Sequence, residues 1–170
     1  AAAVLLTCSG EPYKYQGEEL GYWGSKSGGD EYVRTPVKWT KSGATASAKL
    51  GGRVDNAMLT SSISVEAQSS DPSSVLKVYR DFGKAREKYE ALATGELGVC
   101  SEVSSLPSIC AYYRKSANQN ILVVHNFGSA AISINFTTAK LDNLILSNGT
   151  AAVSDGRLNI GPWSSALFLQ

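Results

Sequence analysis

The chain has 170 residues, 43% of them apolar, enough to bury the core of one ordinary domain or slightly more. Lys and Arg number 16 against 15 Asp and Glu, a formal charge of +1, which argues against a nucleic-acid surface and against electrostatic attachment to a membrane. No apolar run approaches the roughly 20 residues that cross a bilayer as a helix, and the opening AAAVLLTCSG has no basic flank of the kind a signal peptide carries.

That opening has no initiating Met and begins in mid-pattern, so the polypeptide is expected to be a piece of a longer one. Its Ala- and Leu-rich run predicts the last turns of a helix stopped at Ser9-Gly10. Tyr13 and Tyr15 then have the aromatic, alternating character of a strand over residues 11–16, with Pro12 at its start, where no ladder hydrogen bond is lost. From Gly17 to Ser70 the chain is dominated by Gly, Ser, Thr, Ala and Asn, and a connection of that length is usually functional or disordered. Within it, DEYVRTPVKW (30–39) reads as an ordered island: Val33, Val37 and Trp39 are expected to dock the loop while Asp30 and Arg34 point elsewhere.

Residues 71–92 predict a helix, with Asp71 as N-cap, Pro72 at its first position, and Val75, Leu76, Tyr79, Phe82, Arg86 and Tyr89 at helical spacing. After Ala93 the period changes. SICAYYRK and NILVVHNF flank a polar turn at 116–119 and predict a hairpin. AAISINFTT, NLILSNG, RLNIG and SSALFLQ are further short β runs, and their spacing predicts an antiparallel sandwich. The fold class is therefore α+β, divided near residue 93 into 1–92 and 93–170.

Cys8, Cys100 and Cys110 show no close pair of the kind that binds zinc; they read either as buried small residues or as a Cys100–Cys110 disulfide between neighbouring strands. His125, the only histidine, lies in an apolar run with no triad partner at a recognisable spacing and reads as structural. Trp163, beside Pro162 before the last run, reads as sandwich core. Glu18 and Glu19 invite a reading as a catalytic pair, but two carboxylates that work on one bond must face each other across it. Neighbours on an extended segment point to opposite faces.

Gly10, Pro12, Tyr15, Gly17 and Glu19 stand in the order and spacing found around the eighth barrel strand of the α-amylase family, glycoside hydrolase family 13, which this sequence resembles. RTPVKW is similar to the family's Arg-Thr-Pro-Met-Gln-Trp segment, with Val37 for Met and Lys38 for Gln. SVEAQSSDPSSVLKVYR looks like the entry to the eighth barrel helix, and LNIGPWSSALFL like the closing strands of the carboxyl-terminal domain C. The resemblance implies the last βα unit of a (β/α)8 barrel followed by a Greek-key β-sandwich, in an enzyme hydrolysing α-glucans such as starch and maltooligosaccharides with retention.

It also implies that the catalytic carboxylates lie upstream of Ala1, so none is expected here and these residues alone are expected to be inactive. Calcium is frequent in the family but usually held by segments absent here, so no cofactor is expected within these residues. The partners implied are the α-glucan and the missing amino-terminal part of the barrel, with self-association where segment 11–16 would expose strand edges. A secreted, periplasmic or cell-surface location is favoured over the cytoplasm. Barrel strands present their carboxyl ends to the active-site mouth, which makes Tyr22, Trp23, Arg34 and Glu19 the substrate-binding candidates. Each has a plainer alternative: core packing of the loop for the aromatics, loop-fixing ion pairs for Arg34 and Glu19. A second reading is a non-catalytic starch-binding sandwich using exposed aromatics such as Tyr112 and Tyr113, although neighbours in a strand cannot both face one ligand.

Overall fold

The computed structural model describes residues 1–42 and 62–170. In chain order they form helix α1 (Ala2–Thr7), three short 3-10 turns, helices α2 (Val65–Ser69), α3 (Val75–Lys88) and α4 (Glu90–Ala93), and eight strands, with a fourth 3-10 turn at Ser101–Val103. The strands are β1 (Glu96–Val99), β2 (Ile109–Lys115), β3 (Asn120–Asn126), β4 (Ile132–Asn135), β5 (Leu144–Asn148), β6 (Ala151–Ser154), β7 (Arg157–Ile160) and β8 (Ser165–Leu169). Two compact units result: Ala1, Ala3–Pro12 and Asp81–Gln170 in one, Ala2 and Tyr13–Arg80 in the other, with the division falling inside α3. No helix among the described residues is long and apolar enough to cross a membrane.

The first unit holds the predicted antiparallel sandwich together with α4, the end of α3 and most of α1. Its sheets run β1-β2-β3-β8-β5 and β4-β7-β6. The reason lies in β3 and β8, whose registers pair Leu122 with Phe168, Val123 with Leu167 and Val124 with Ala166. Side chains alternate along a strand, so Leu122, Val124, Ala166 and Phe168 meet Ile134, Leu158 and Ile160 of the smaller sheet in the shared core. Ile121, Val123 and Leu167 point the opposite way and are buried too. A strand buried on both faces reads as a continuous apolar run, which is what ILVV and ALFL are; each such side chain contributes roughly 1.5–3 kcal/mol.

On that outer face α1 is laced to the sheet by two arginines. The fully buried Arg114 donates to the carbonyls of Thr7 and Gly95, and Arg86 donates to those of Leu6, Cys8, Gly10 and Ala93. The last carbonyls of a helix have no partner within it, and here guanidinium groups supply the missing donors.

The second unit is held by Gln68, whose side chain donates to the Leu20 carbonyl at 2.9 Å and accepts from the Leu76 amide at 3.1 Å. Ser64 caps α2 by accepting from Ala67 N at 3.1 Å.

Several expectations are corrected. Segment 11–15 is irregular rather than a strand: a strand needs a partner for its ladder, and none of the described residues pairs with it. The 71–92 helix starts at Val75, because Ser74 and not Asp71 is the cap; Ser74 Oγ accepts from Lys77 N at 3.1 Å. Asp71 instead accepts from Ser73 N at 2.8 Å, closing the turn that holds Pro72. The helix also breaks at Tyr89, whose extended backbone (φ −108°, ψ 109°) separates α3 from α4.

Trp163 is 67% exposed instead of core; the buried residue of that turn is Ser164. Trp163 has a φ of +52°, one that costs an L-residue ~1–2 kcal/mol. Trp39 is 69% exposed and does not anchor its loop through its ring; its carbonyl does so, accepting from Glu66 N at 3.0 Å. All three cysteines are free, and only Cys100 is buried, facing the inter-sheet core while Cys110 is exposed. Tyr112 is buried and Tyr113 packs against the inter-sheet core, which removes both as a sugar platform.

Candidate functional site

The site is built from the Gly17 turn. Gly17 has φ +91°, and a Cβ there would lie 2.6 Å from Cδ2 of Tyr22, so both the left-handed backbone and the ring packed on it demand glycine. The Gly17 carbonyl accepts from Leu20 N and Tyr22 N, winding Glu18–Leu20 into a 3-10 turn. Glu18 and Glu19 are therefore not on an extended segment, which corrects the geometric premise, yet each has a separate task. Glu18 accepts from Tyr15 N at 3.2 Å; Glu19 accepts from Gly17 N at 2.9 Å and pairs with Lys14 at 2.9 Å. Partial burial pushes the Glu19 carboxyl up, but the Lys14 ammonium and the amides of this turn outweigh it and hold it below the usual carboxylate range.

Tyr22 fixes the far side. Its hydroxyl accepts from Lys38 N at 2.7 Å and donates to the Pro36 carbonyl at 3.4 Å, tying the turn to the RTPVKW segment. Burial pushes the phenol pKa up, so the group stays a neutral donor and acceptor. Asp30 collects Lys26 at 3.4 Å and Arg34 at 3.0 Å, one residue either side at i,i±4. All three are largely exposed, so these pairs orient side chains more than they stabilise the fold.

These residues enclose a concavity of about 400 Å³ lined by Tyr15, Gln16, Glu18, Tyr22, Trp23, Gly24, Lys26, Asp30, Val33, Arg34 and Thr35. Of the sequence candidates, Tyr15, Tyr22, Trp23 and Arg34 come together there. Glu19 does not line it; its neighbour Glu18 does. Gly17 shapes the turn beneath, and Gly10 and Pro12 lie in the other unit, where the Gly10 carbonyl accepts from Arg86. Sequence reasoning missed Lys26, although its spacing of four from Asp30 and eight from Arg34 was a usable signal.

Chemically the concavity offers aromatic faces beside guanidinium, ammonium and carboxylate groups, a combination suited to a polyhydroxylated ring: apolar face on aromatic, hydroxyls to charged donors and acceptors. Asp30, bracketed by two cations, acts as a strut. No group of three or more His, Cys, Asp or Glu among the described residues is placed to hold a metal ion.

Comparison with known proteins bears on the same residues. The α-amylase catalytic domain family matches residues 1–95, and the α-amylase SusG C-terminal domain family matches residues 109–167. The chain is 35% identical to the α-amylase SusG of Bacteroides thetaiotaomicron, over 99% of this chain and 25% of that protein. It is 29% identical to α-amylase 3 of Dictyoglomus thermophilum, over 98% of this chain and 33% of that protein. The chain thus spans a quarter to a third of the length of these curated relatives. The crystal structure of trehalulose synthase MutB from Pseudomonas mesoacidophila MX-45 superposes with a TM-score of 0.78 at 21% identity, covering 99% of this chain and 37% of that one. At that identity the likeness speaks for the fold. With its catalytic-domain pattern matched over more than half of its length and its sandwich matched separately, the chain belongs to the α-amylase family.

Proposed function

We propose that these residues are the C-terminal part of an α-amylase-like glycoside hydrolase that cleaves α-glucans, starch and maltooligosaccharides, with retention of configuration. The reading is carried by the convergence of Tyr15, Tyr22, Trp23 and Arg34 on one concavity. In it Arg34, oriented by Asp30, donates to sugar hydroxyls, and the 60% exposed Trp23 offers its ring to a pyranose face. Tyr22 positions the loop, and Glu19 locks the Gly17 turn, both acting through other residues. The pair of facing carboxylates that retention requires belongs to other segments of the parent enzyme. Residues 1–92 complete its barrel and 93–170 form its domain C, in a protein working outside the cytoplasm.

In the intact enzyme, Trp23→Ala and Arg34→Ala should each lower kcat/KM on maltooligosaccharides by about tenfold or more, and the first product seen by proton NMR should be the α-anomer. Unchanged kinetics in both variants overturn the site. A β-anomer overturns retention, and hydrolysis by these 170 residues alone overturns the placement of the acids.

A further inference from the structure

The outer face of the larger sheet brings two of the three cysteines to one place. Side chains alternate along β2, so Cys110, Tyr112 and Arg114 share the face on which α1 lies; the Thr7 hydroxyl bonds Tyr112 and the Thr7 carbonyl accepts from Arg114. His125 stands directly opposite Cys110 in the β2–β3 register and points the same way. The Tyr112 hydroxyl reaches His125 Nε2 at 3.1 Å, so its ring leans along the strand toward the Cys110–His125 pair. Cys8, the C-cap of α1, sets its Sγ 3.8 Å from that same hydroxyl. The Cys8 sulfur therefore stands over the strand position that Cys110 occupies. Burial pushes the Cys110 thiol pKa up, and Cys8 adds to the push, as a second sulfur within its field does. Cys100 has no part in this: it faces the inter-sheet core, on the opposite side of the sheet from Cys110.

We propose that Cys8 and Cys110 are a redox-active pair, which a small-molecule disulfide such as oxidised glutathione converts into a bond stapling the end of α1 to β2. One cysteine thiolate attacks a sulfur of the small disulfide and releases one small thiol; the other cysteine then attacks the mixed disulfide and releases the second. The two protein thiols give up two electrons and two protons, and the reagent carries them away as two free thiols. The bond would join the segment matched by the α-amylase catalytic domain family, 1–95, to the one matched by the SusG C-terminal domain family, 109–167. It closes a loop of roughly a hundred residues, long enough to restrict the unfolded chain strongly. Both sulfurs belong to this chain, and the inference does not depend on which sugar the parent enzyme cleaves.

The test uses the intact parent enzyme and its Cys8→Ser and Cys110→Ser variants, each held under oxidised glutathione or under dithiothreitol. Free thiols are then alkylated and the digests mapped by mass spectrometry, with thermal melting measured on the same samples. Expected in the oxidised wild type are a peptide pair joined through Cys8 and Cys110, lighter than its two parts by the two lost hydrogens, and an alkylated Cys100. Its melting temperature should exceed that of the reduced protein by at least about 2 °C, and neither variant should show the link or the shift. Alkylation of both Cys8 and Cys110 in the oxidised wild type overturns the proposal, as does glutathione that stays on either residue without the pair closing. A melting shift that survives in both variants belongs to other cysteines of the parent and overturns the staple. The wild-type map reads the bond directly, so a variant that folds poorly does not decide the outcome.

Discussion

Lowering the pH should strike the protein at His125. The imidazole sits under α1 with Nε2 3.1 Å from the Tyr112 hydroxyl and Nδ1 2.8 Å from Ser165 Oγ. Thr7 spends its hydroxyl proton on the Ala3 carbonyl at 2.6 Å, so Tyr112 must donate to Thr7 and accept from Nε2–H, which leaves Nδ1 as the acceptor for Ser165. Besides Tyr112, Thr7 Oγ1 lies 3.4 Å from Nε2 and Cys110 stands opposite His125 in the β2–β3 register, neither of them an anion that would welcome an imidazolium. Burial pushes the His125 pKa down from 6.5 to about 4. The unfolded chain therefore binds the proton first. Stability is full above pH 6.5, falls as the pH drops toward 4, and levels off below that.

Between pH 7.5 and 4.5 the linked loss is about 2.5 kcal/mol. Urea unfolding of wild type and His125→Gln at both pH values measures it: the wild type should lose about 2.5 kcal/mol more than the variant over that interval. Carboxylates common to both cancel, and a general weakening of the variant does not matter because only the pH slopes are compared. Parallel slopes would refute the buried neutral imidazole.

Other expectations follow from single contacts. Glu102 accepts from the amide and hydroxyl of both Thr137 and Thr138, pinning the connection after β4. The Thr138 hydroxyl leads in holding its carboxyl down to about 2. The clamp is thus present above pH 4.5 and lost as the pH falls toward 2; the melting difference between wild type and Glu102→Gln should be clear at pH 7 and vanish near pH 2. Gly17→Ala forces a Cβ into Tyr22 at a left-handed position and should cost more than about 1 kcal/mol in chemical denaturation, with loss of activity in the intact enzyme. A neutral result there would mean that the turn is not what positions Tyr22.

What the sequence disclosed depended on how local the cause was. The hairpin of β2 and β3 and the run of β8 were legible because burial on both faces leaves an unbroken apolar stretch with polar turns around it. β1 and β6 were missed: both are short edge strands with mostly exposed residues, so no face writes an alternating pattern. Asp71 was a plausible cap, but Ser74 won through a hydrogen bond three residues on that competes only once Pro72 has turned the chain. Trp163 misled because a large aromatic beside a strand normally sits inside, and nothing local reveals that Asn126 and Ser164, far apart in the chain, hold the backbone with the ring outward. At the site, Tyr22, Trp23 and Arg34 were legible as chemistry, whereas the exchange of Glu19 for Glu18 required the 3-10 turn itself.

The position of β8 has a temporal consequence. It lies between β3 and β5 yet follows both in the sequence, so on a ribosome both neighbours emerge and wait with open hydrogen-bonding edges until Ser165–Leu169 is made. Without those few residues the larger sheet would part at its middle, with β5 cut off from β3.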